Sequence, residues 1–396
     1  MNKILKYASL LVITVIIIGG ILVRKSKPNI VANVLEPVSV VSKVTSKKEL
    51  KNTDGRTNIL LLGIDGRTSG QASVGSKLTD TILLVSIDKD AKRPVMVSIP
   101  RDLWIKEYKS KINGIYPLCM NTNAGKEDPN MCIDRVKDTV EHVTGVPIHY
   151  YAILGFTAFR DAIETAGGVD VNVEEAFDDY KYPIEGKENA QPESARYKHV
   201  HFDKGVQHLN SEQALEYARS RHSTNYKQAG DFARARRQQQ VVLALKDQLL
   251  SSDILLNPVK IKELYNSYKE NVKTDITLGD AMAMYDTTKA LLKNDGENSP
   301  LGKNVVKIVL SDEGEKPEKP GSGMLIVPNR NDYGGKWVLV AKDVTFDQIH
   351  GYIRQMMFEP VTEDNISEDH INPDGEGDTQ KTTNAEIKNE GENVNN

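Results

Sequence analysis

Residues 205–250 read GVQHLNSEQALEYARSRHSTNYKQAGDFARARRQQQVVLALKDQLL, a pattern that predicts two helices joined by a polar loop. Asn210 is a good N-cap for the first helix, because Gln213 follows three residues later and can complete a capping box. The second helix is predicted to begin at Asp231. From Val241 onward apolar residues recur at helical spacing, so the later turns of this helix should face a core.

Five arginines gather around the joint between these helices: Arg219, Arg221, Arg234, Arg236 and Arg237. The last three occupy the first turns of the second helix, where the helix dipole already places about half a positive charge. Like charges there cost stability unless an anion lies among them, and helix N-termini bind phosphate groups readily. The stretch therefore predicts an arginine-lined phosphate or pyrophosphate site. The alternative is a solvated basic face paired with nearby Glu and Asp.

Three earlier apolar stretches predict buried strands: NILLLGID at 58–65, TILLVSI at 81–87 and PVMVSIP at 94–100. If they pair as antiparallel neighbours, the end of the first strand meets the start of the second and the end of the third. Asp65, Asp80 and Arg101 would then converge on one edge of the sheet. Neighbouring carboxylates repel unless a cation lies between them, and their hard oxygens suit magnesium. Alternatively, each Asp caps a loop or helix and Arg101 pairs with Asp102.

The remaining patterns predict an α/β (α+β) fold, in which helices flank a single mixed, largely antiparallel central sheet. HYYAILGFTAFRDAIETAGGVDVNV, residues 149–173, reads as strand, helix, a glycine stop and strand. MLIVPN and KWVLVAK read as a strand pair that completes the sheet, followed by a helix at 346–357. The charged, turn-rich residues 178–205 predict a mobile loop beside the site.

The length allows one large domain or two ordinary ones. Because the late strand pair completes a sheet more easily than it builds a new domain, one domain is predicted at 57–360. The formal net charge of −4 argues against general nucleic-acid binding. Neither a G-x-S-x-G elbow nor a Walker loop occurs, which removes two common enzyme classes. Residues 361–396 are acidic and lack aromatic side chains, so they are expected to be disordered.

An uncharged apolar run of about transmembrane length, residues 7–23, is flanked by basic residues. No A-x-A cleavage site follows, so an N-terminal transmembrane helix that stays attached is expected in place of a cleaved signal peptide. The simplest topology puts residues 1–6 in the cytoplasm, a stalk at 24–56 and the domain outside a cell membrane crossed once.

Cys119 and Cys132 lie within one polar, turn-rich segment. A bridge between them would require an oxidising compartment and would agree with an extracytoplasmic domain. Two free buried thiols are the alternative. Four zinc ligands are not visible around them.

Four stretches together resemble the LytR-CpsA-Psr family of membrane-anchored phosphotransferases. They are NILLLGID, LTDTILLVSIDKDAKRPVMVSIPRD, GFTAFRDAIETAGGVDVNV, and LNSEQALEYARSR followed by GDFARARRQQQ, in the family's order behind an N-terminal anchor. The similarity covers about residues 57–250, and the part to about residue 360 is similar to the C-terminal portion of longer members. One departure is Ala233, where members usually have glycine.

The resemblance implies an extracytoplasmic enzyme that moves a glycopolymer from a polyprenyl pyrophosphate carrier to peptidoglycan through a phosphodiester. Asp65 and Asp80 would hold Mg²⁺ or Mn²⁺ against the pyrophosphate. Its oxygens would be bound by Arg101, Arg219, Arg221, Arg234, Arg237 and Gln238, although only one of Arg236 and Arg237 can share a face with Arg234. Asp231 would be a candidate base for the accepting hydroxyl, with helix capping an equally good role. The catalytic set would be Arg101, Arg219, Arg221, Asp231 and Arg234.

The residues leave two function classes open. The first is the transferase, with a pyrophosphatase as a weaker variant in which water replaces the sugar acceptor. The second is a non-catalytic membrane protein of the same fold that binds polyprenyl-linked intermediates and acts in envelope regulation. Catalysis is favoured because a binding module could dispense with metal ligands, whereas this chain has the full set Asp65, Asp80, Arg101, Arg219, Arg221 and Arg234.

Overall fold

The computed structural model describes residues 49–64, 78–88, 93–251, 272–277, 280, 283–284, 305–314, 316, 319–343 and 345–358. The predicted anchor, the predicted stalk up to residue 48 and the acidic tail lie outside these ranges, as does Asp65. Within them, no helix combines the length and the apolar character that crossing a membrane requires.

The described strands are β1 Arg56–Ile64, β2 Thr79–Asp88, β3 Val95–Ser98, β4 Trp104–Ile105, β5 Ser110–Lys111, β6 Tyr150–Gly155, β7 Val169–Val173, β8 Phe177–Pro183, β9 Tyr197–Phe202, β10 Gly205–Leu209, β11 Val272–Thr274, β12 Val306–Val309, β13 Leu325–Ile326 and β14 Val340–Ala341. The described helices are α1 Ile115–Met120, α2 Asn123–Glu127, α3 Pro129–Thr144, α4 Phe156–Ala166, α5 Ser211–Arg219, α6 Gly230–Ser251 and α7 Asp347–Phe358.

The central sheet has six described strands in the order β11-β6-β1-β2-β3-β12. β2 pairs antiparallel with both β1 and β3, as the three apolar stretches predict. β6 lies parallel to β1 and β12 lies parallel to β3, whereas β11 pairs antiparallel with β6. The sheet is therefore mixed. Its central strand β1 is buried along most of its length, which explains a continuous apolar sequence in place of an alternating one.

The register of the first three strands brings their functional ends to one edge of the sheet. Ile64 pairs with Thr79, so the end of β1 lies beside the start of β2. Beyond β3, the N–H of Ile99 donates to a carbonyl of β2 at 3.0 Å, which continues the pairing almost to Arg101. Asp80 and Arg101 consequently lie at the same edge.

Helices cover the sheet. On one face α3 and α7 pack against β1, in a cluster that includes Leu60, Val140 and Ile353. The other face buries Leu61, with Val242 of α6 packed against it. A further cluster joins α4, α5 and the later turns of α6 to β7: Ala162, Ile163, Val171, Tyr217, Val241 and Leu245. Full burial of one such large apolar side chain contributes about 1.5–3 kcal/mol.

The local signals around α4 and α5 are confirmed. Asn210 accepts a hydrogen bond of 2.9 Å from the N–H of Gln213, whose side chain accepts one of 3.1 Å in return, so the capping box is complete. The strand, helix and strand predicted at 149–173 are β6, α4 and β7. Gly167 ends α4 in the left-handed conformation, at φ 81°, which glycine adopts without steric cost.

Two predictions about the connections are wrong. Residues 178–205 are not a loop, because β8 and β9 form an antiparallel hairpin there. The hairpin buries Phe177, Val200 and Phe202 on one face and exposes charged side chains on the other, and this exposed face gave the sequence its loop-like composition. The pair β13 and β14 forms a separate small sheet, since β11 and β12 already occupy the edges of the central sheet.

Cys119 and Cys132 are bonded to each other and join α1 to α3. Both residues are buried. A crosslink of this kind stabilises a fold mainly by restricting the unfolded chain.

Candidate functional site

Asp231, at the start of α6, is the centre of an arginine cluster. Its Oδ1 lies 2.9 Å from Nη2 of Arg234, and its Oδ2 accepts a hydrogen bond of 3.0 Å from Nη2 of Arg221. Arg101 reaches in from the end of β3, with its Nη2 3.8 Å from Oδ2 of Asp231. Three guanidinium groups from separate parts of the chain thus share one carboxylate. Base and helix cap were the roles expected for Asp231, but its contacts here are those of a counter-ion.

Asp80 extends the cluster along the sheet edge. Its Oδ1 lies 3.1 Å from Nη1 of Arg101 and accepts a hydrogen bond of 3.1 Å from Nδ2 of Asn113. The Nε of Arg101 lies 3.4 Å from Oδ2 of Asp102, and the ammonium group of Lys111 donates to the other oxygen of Asp102. Arg101 therefore contacts both aspartates, so convergence with Asp80 and pairing with Asp102 occur together.

Arg219, at the end of α5, is held between two aromatic rings. Its Cζ lies 4.3 Å from the ring centroid of Phe156 and 5.6 Å from that of Tyr182, and its Nη1 donates to the Tyr182 hydroxyl at 3.4 Å. The rings stabilise the cation through their negative faces. Among the residues that the structure describes, no carboxylate lies within ion-pair distance of Arg219. Its charge is therefore available to an anion.

Burial affects the protonation of the two inner arginines. Burial lowers the pKa of Arg234 to about 10, although the negative charge of Asp231 opposes this shift. Burial also acts against the charge of Arg101, but Asp80 and Asp231 outweigh it and raise the pKa of Arg101. Both arginines are protonated at neutral pH.

Several buried polar atoms of the cluster lack a hydrogen-bond partner within the described part of the chain: Nε of Arg101, Nε of Arg221, Nε of Arg234 and Oδ1 of Asp231. Nε of Arg221 does lie 3.0 Å from Oδ1 of Asp231, but the N–H is not directed at the oxygen, so this contact is electrostatic only. An unsatisfied buried donor costs about 1–3 kcal/mol. The cluster is thus poorly arranged for stability and well arranged for a ligand with several oxygens.

Arg237 does not join the cluster. It is 1% exposed, and its guanidinium donates to the backbone carbonyls of Tyr217, Ser220 and Gln228. Burial lowers its pKa to about 10. Its N–H groups are used inside the protein, so the structure does not bring Arg237 into the cluster with Arg234.

A buried glutamine sets the position of α6 against the sheet. Nε2 of Gln239 donates to Oγ of Ser98 at 2.9 Å and to the carbonyl of Ile308 at 3.1 Å. These bonds join the third turn of the helix to β3 and β12, and Asp231 in the first turn lies near Arg101, beyond the end of β3. Gln238 is half-buried one turn beyond Arg234 on the same helix.

The sequence patterns did not indicate Asp179, a buried carboxylate on β8. Its Oδ2 accepts hydrogen bonds from Oγ of Ser220 at 2.5 Å and from the N–H groups of Arg221 and His222 at 3.0 Å each. Burial alone would raise the pKa of Asp179, but these bonds and one from the N–H of Lys181 lower it below its usual range. The available signal was an acidic residue at an inward-facing strand position, which the loop prediction concealed.

Asp80 has one carboxylate oxygen that makes no polar contact with the described residues. Within the described residues its polar contacts are made by Oδ1, which leaves Oδ2 for a hard cation. The side chain of Asp80 is 29% exposed, so a cation could reach it. The described ranges contain no group of three or more His, Cys, Asp or Glu that could hold a metal, and Asp65, the other predicted ligand, lies outside them.

Comparison with known proteins places the chain among cell-envelope relatives. TagV of Bacillus subtilis (strain 168), named polyisoprenyl-teichoic acid–peptidoglycan teichoic acid transferase, is 33% identical over 234 residues, which are 57% of this chain and 51% of TagV. TagU of Oceanobacillus iheyensis, which carries the same descriptive name, is 30% identical over 277 residues, or 68% of this chain and 75% of TagU. The chain therefore spans about half the length of the first relative.

The fold is similar to that in the crystal structure of B. subtilis TagV, with a TM-score of 0.50 and 24% identity over 78% of this chain and 100% of the crystallised one. The model of the LytR_cpsA_psr family matches residues 29–301, which is more than half of the chain. The matched region includes Asp80, Arg101 and Asp231. The chain belongs to the LytR_cpsA_psr family.

Proposed function

We propose that this protein transfers a glycopolymer, as a glycosyl-1-phosphate, from a polyprenyl pyrophosphate carrier to a sugar hydroxyl of peptidoglycan. The observation that carries the proposal is the set of three arginines around Asp231, with buried N–H groups that lack an acceptor. The names of TagV and TagU, which describe transfer of teichoic acid to peptidoglycan, support this substrate class.

A pyrophosphate suits this cluster because it carries several charged oxygens within a small volume. Its oxygens would take the N–H groups of Arg101, Arg221 and Arg234 that have no acceptor, and Arg219 would add a charge that is not neutralised by the described residues. Phosphoryl transfer depends mainly on positioning and on stabilisation of charge in the transition state. Arginines fixed before the substrate arrives supply both.

In the proposed reaction the oxygen of the acceptor hydroxyl attacks the phosphorus that is attached to the donor sugar. The bond from this phosphorus to the bridging oxygen breaks, and polyprenyl phosphate leaves with the electron pair. Asp231 is the proposed acceptor of the hydroxyl proton, since the arginines that now neutralise it would turn to the pyrophosphate. Mg²⁺ or Mn²⁺, held by Asp80 together with Asp65, would neutralise part of the pyrophosphate charge.

The proposed location is the cell membrane, with the domain on the extracytoplasmic side. A lipid-linked donor requires the enzyme to work at a membrane surface, and the apolar run at 7–23 is suited to anchor it there. The bond between Cys119 and Cys132 supports an oxidising compartment.

The test uses the full chain in detergent micelles with a synthetic polyprenyl pyrophosphate disaccharide, peptidoglycan oligomers and magnesium. Mass spectrometry should detect a phosphodiester between the disaccharide and the oligomer. Arg234→Ala should lose this product. The matched control is Arg236→Ala, because Arg236 lies on the same helix and pairs with Glu313 at 3.3 Å.

The alternative functions give different results in the same assay. Release of sugar phosphate without coupling would indicate a pyrophosphatase. Tight binding of the donor without turnover would indicate a non-catalytic regulator. Either result for the wild type would overturn the proposed transfer.

A further inference from the structure

Two buried charges of opposite sign hold the chain around Ser220. Asp179 accepts from the Ser220 hydroxyl and from the next two backbone N–H groups, those of Arg221 and His222. Arg237 binds the carbonyl side, since it donates to the oxygen of Ser220. Asp179 and Arg237 are each 1% exposed. Residues 220–222 are therefore bonded through their backbone N–H groups to Asp179 and through the carbonyl of Ser220 to Arg237.

Backbone bonds also hold this segment at its two ends: the N–H of Ser220 donates to the carbonyl of Glu216 at 2.9 Å, and the carbonyl of Arg221 accepts from Gly230 at 2.9 Å. Ser220 ends α5 with φ −54° and ψ 137°, so the chain has left the helix before Arg221. Arg219 and Arg221 flank Ser220. The backbone conformation at Ser220 therefore sets the direction in which each of the two arginine side chains leaves the chain. Tyr182, on the same strand as Asp179, also contacts Arg219.

Stability alone does not account for this arrangement. Removing a carboxylate and a guanidinium from water costs several kcal/mol for each ion, and well-packed apolar residues often replace such buried groups without loss of stability. What the two charges supply is geometry, because each makes several directed bonds to the same short segment. Fixed donors matter most where charge develops during a reaction.

We propose that Asp179 and Arg237 are positioning residues, which set the separation and direction of Arg219 and Arg221 before a pyrophosphate binds. This inference rests on the proposed function for its substrate. Neither residue contacts the substrate in this scheme. They act through the backbone of residues 219–222.

The test is a double-mutant cycle in the full chain, in the coupling assay with the polyprenyl pyrophosphate disaccharide. Asp179→Asn keeps the size of the side chain but removes its charge, and an NH2 group must replace one of the two oxygens that accept backbone N–H groups. We expect kcat/KM to fall roughly 30- to 100-fold in the wild-type background. In an Arg221→Ala background the same change should cost clearly less, below about tenfold, because one of the two arginines that it positions is already absent. A purely structural role predicts the same factor in both backgrounds, and that result would overturn the proposal.

Asp280→Asn is the matched control for lost stability. Asp280 is 2% exposed and accepts from the Tyr150 hydroxyl at 2.8 Å and from the N–H of Thr277 at 3.0 Å. Asp280 contacts Tyr150 at the start of β6. The site lies at the opposite end of this strand. The control should lower the melting temperature and retain kcat/KM, and equal loss of activity in the two variants would contradict positioning.

Binding of inorganic pyrophosphate separates this inference from the proposed function. If the wild type does not couple, the proposed function fails, but the cycle can still be measured by calorimetry with magnesium pyrophosphate. Asp179→Asn should weaken binding in the wild-type background and weaken it by a clearly smaller factor in the Arg221→Ala background. Equal weakening in both backgrounds would overturn the positioning role.

Discussion

Oδ1 of Asp231 lies 2.9 Å from Nη2 of Arg234, one turn later on the same helix. The same carboxylate accepts a hydrogen bond from Arg221 and lies near Arg101, so it holds together the groups that are proposed to bind pyrophosphate. The carboxylate of Asp231 thus neutralises the same arginines that an anionic substrate would need. Substrate binding would exchange one counter-ion for another.

This exchange predicts that Asp231→Asn binds inorganic pyrophosphate more tightly than the wild type. Loss of one negative charge beside three arginines should lower the Kd about tenfold, as expected for a charge contact in a partly buried site. Coupling should nevertheless be lost, because the proposed proton acceptor is gone. Isothermal calorimetry and the coupling assay measure the two effects.

The control for this variant is Glu313→Gln, which removes a carboxylate that pairs with Arg236 and Lys319 outside the cluster. Its Kd for pyrophosphate should be unchanged. Weaker binding by Asp231→Asn would mean that Asp231 supports the anion site and does not compete with the substrate.

Asp80→Ala should abolish magnesium-dependent coupling while the fold stays intact. Asp80 is partly exposed at the sheet edge, so its removal leaves no cavity in a core. The expected loss in kcat is on the order of 100-fold or more, as for removal of a preorganised charge contact. Circular dichroism checks the fold, and an unfolded variant would show that Asp80 is a structural residue.

The pKa of Asp179 predicts how stability depends on pH. Hydrogen bonds lower this pKa in the folded state despite burial. The ionised carboxylate therefore stabilises the folded protein above the unfolded-state pKa of about 3.9, and the contribution disappears as pH falls through the lower folded-state value. Urea unfolding should show Asp179→Asn to be less stable by about 1–3 kcal/mol at pH 7. The difference should shrink below pH of about 4, and a difference that grows on acidification would contradict this assignment.

The bond between Cys119 and Cys132 closes a short loop, with a sequence separation of 13. Its loss should destabilise the domain by about 2–4 kcal/mol, because the unfolded chain gains freedom. Intact mass should rise by two hydrogen atoms on reduction, and the Cys119→Ser/Cys132→Ser variant should melt at a lower temperature. An unchanged mass would show free thiols.

Much of the fold could be predicted because its signals are local. The strands β1 to β3 are continuous apolar runs, and strands that follow one another in the chain usually pair as neighbours. The capping box of Asn210 and Gln213 fixed the start of α5. The hairpin of β8 and β9 was missed, because its exposed face carries polar residues at a density typical of loops. The edge strands β11 and β12 are short, and their pairing depends on contacts distant in sequence.

The sequence indicates which residues form the site better than it indicates which of them contact one another. Asp80 and Arg101 follow from strand register, and the arginines follow from their unfavourable place at a helix N-terminus. Asn113, which bonds to Asp80, is brought in by tertiary packing and has no motif of its own. Arg234 and Arg237 are both buried, but Arg234 pairs with Asp231 whereas Arg237 donates to backbone carbonyls, and the sequence spacing of a helix does not reveal this difference.

The most direct measurement follows the phosphorus that is attached to the donor sugar. A synthetic polyprenyl pyrophosphate disaccharide carrying ³²P at that position would be incubated with the full chain, magnesium and peptidoglycan oligomers. If the protein transfers glycosyl phosphate, the label will enter the oligomer with the disaccharide, and Arg234→Ala will show none. Label found only in free sugar phosphate, or retained in intact donor, would contradict the proposed transfer.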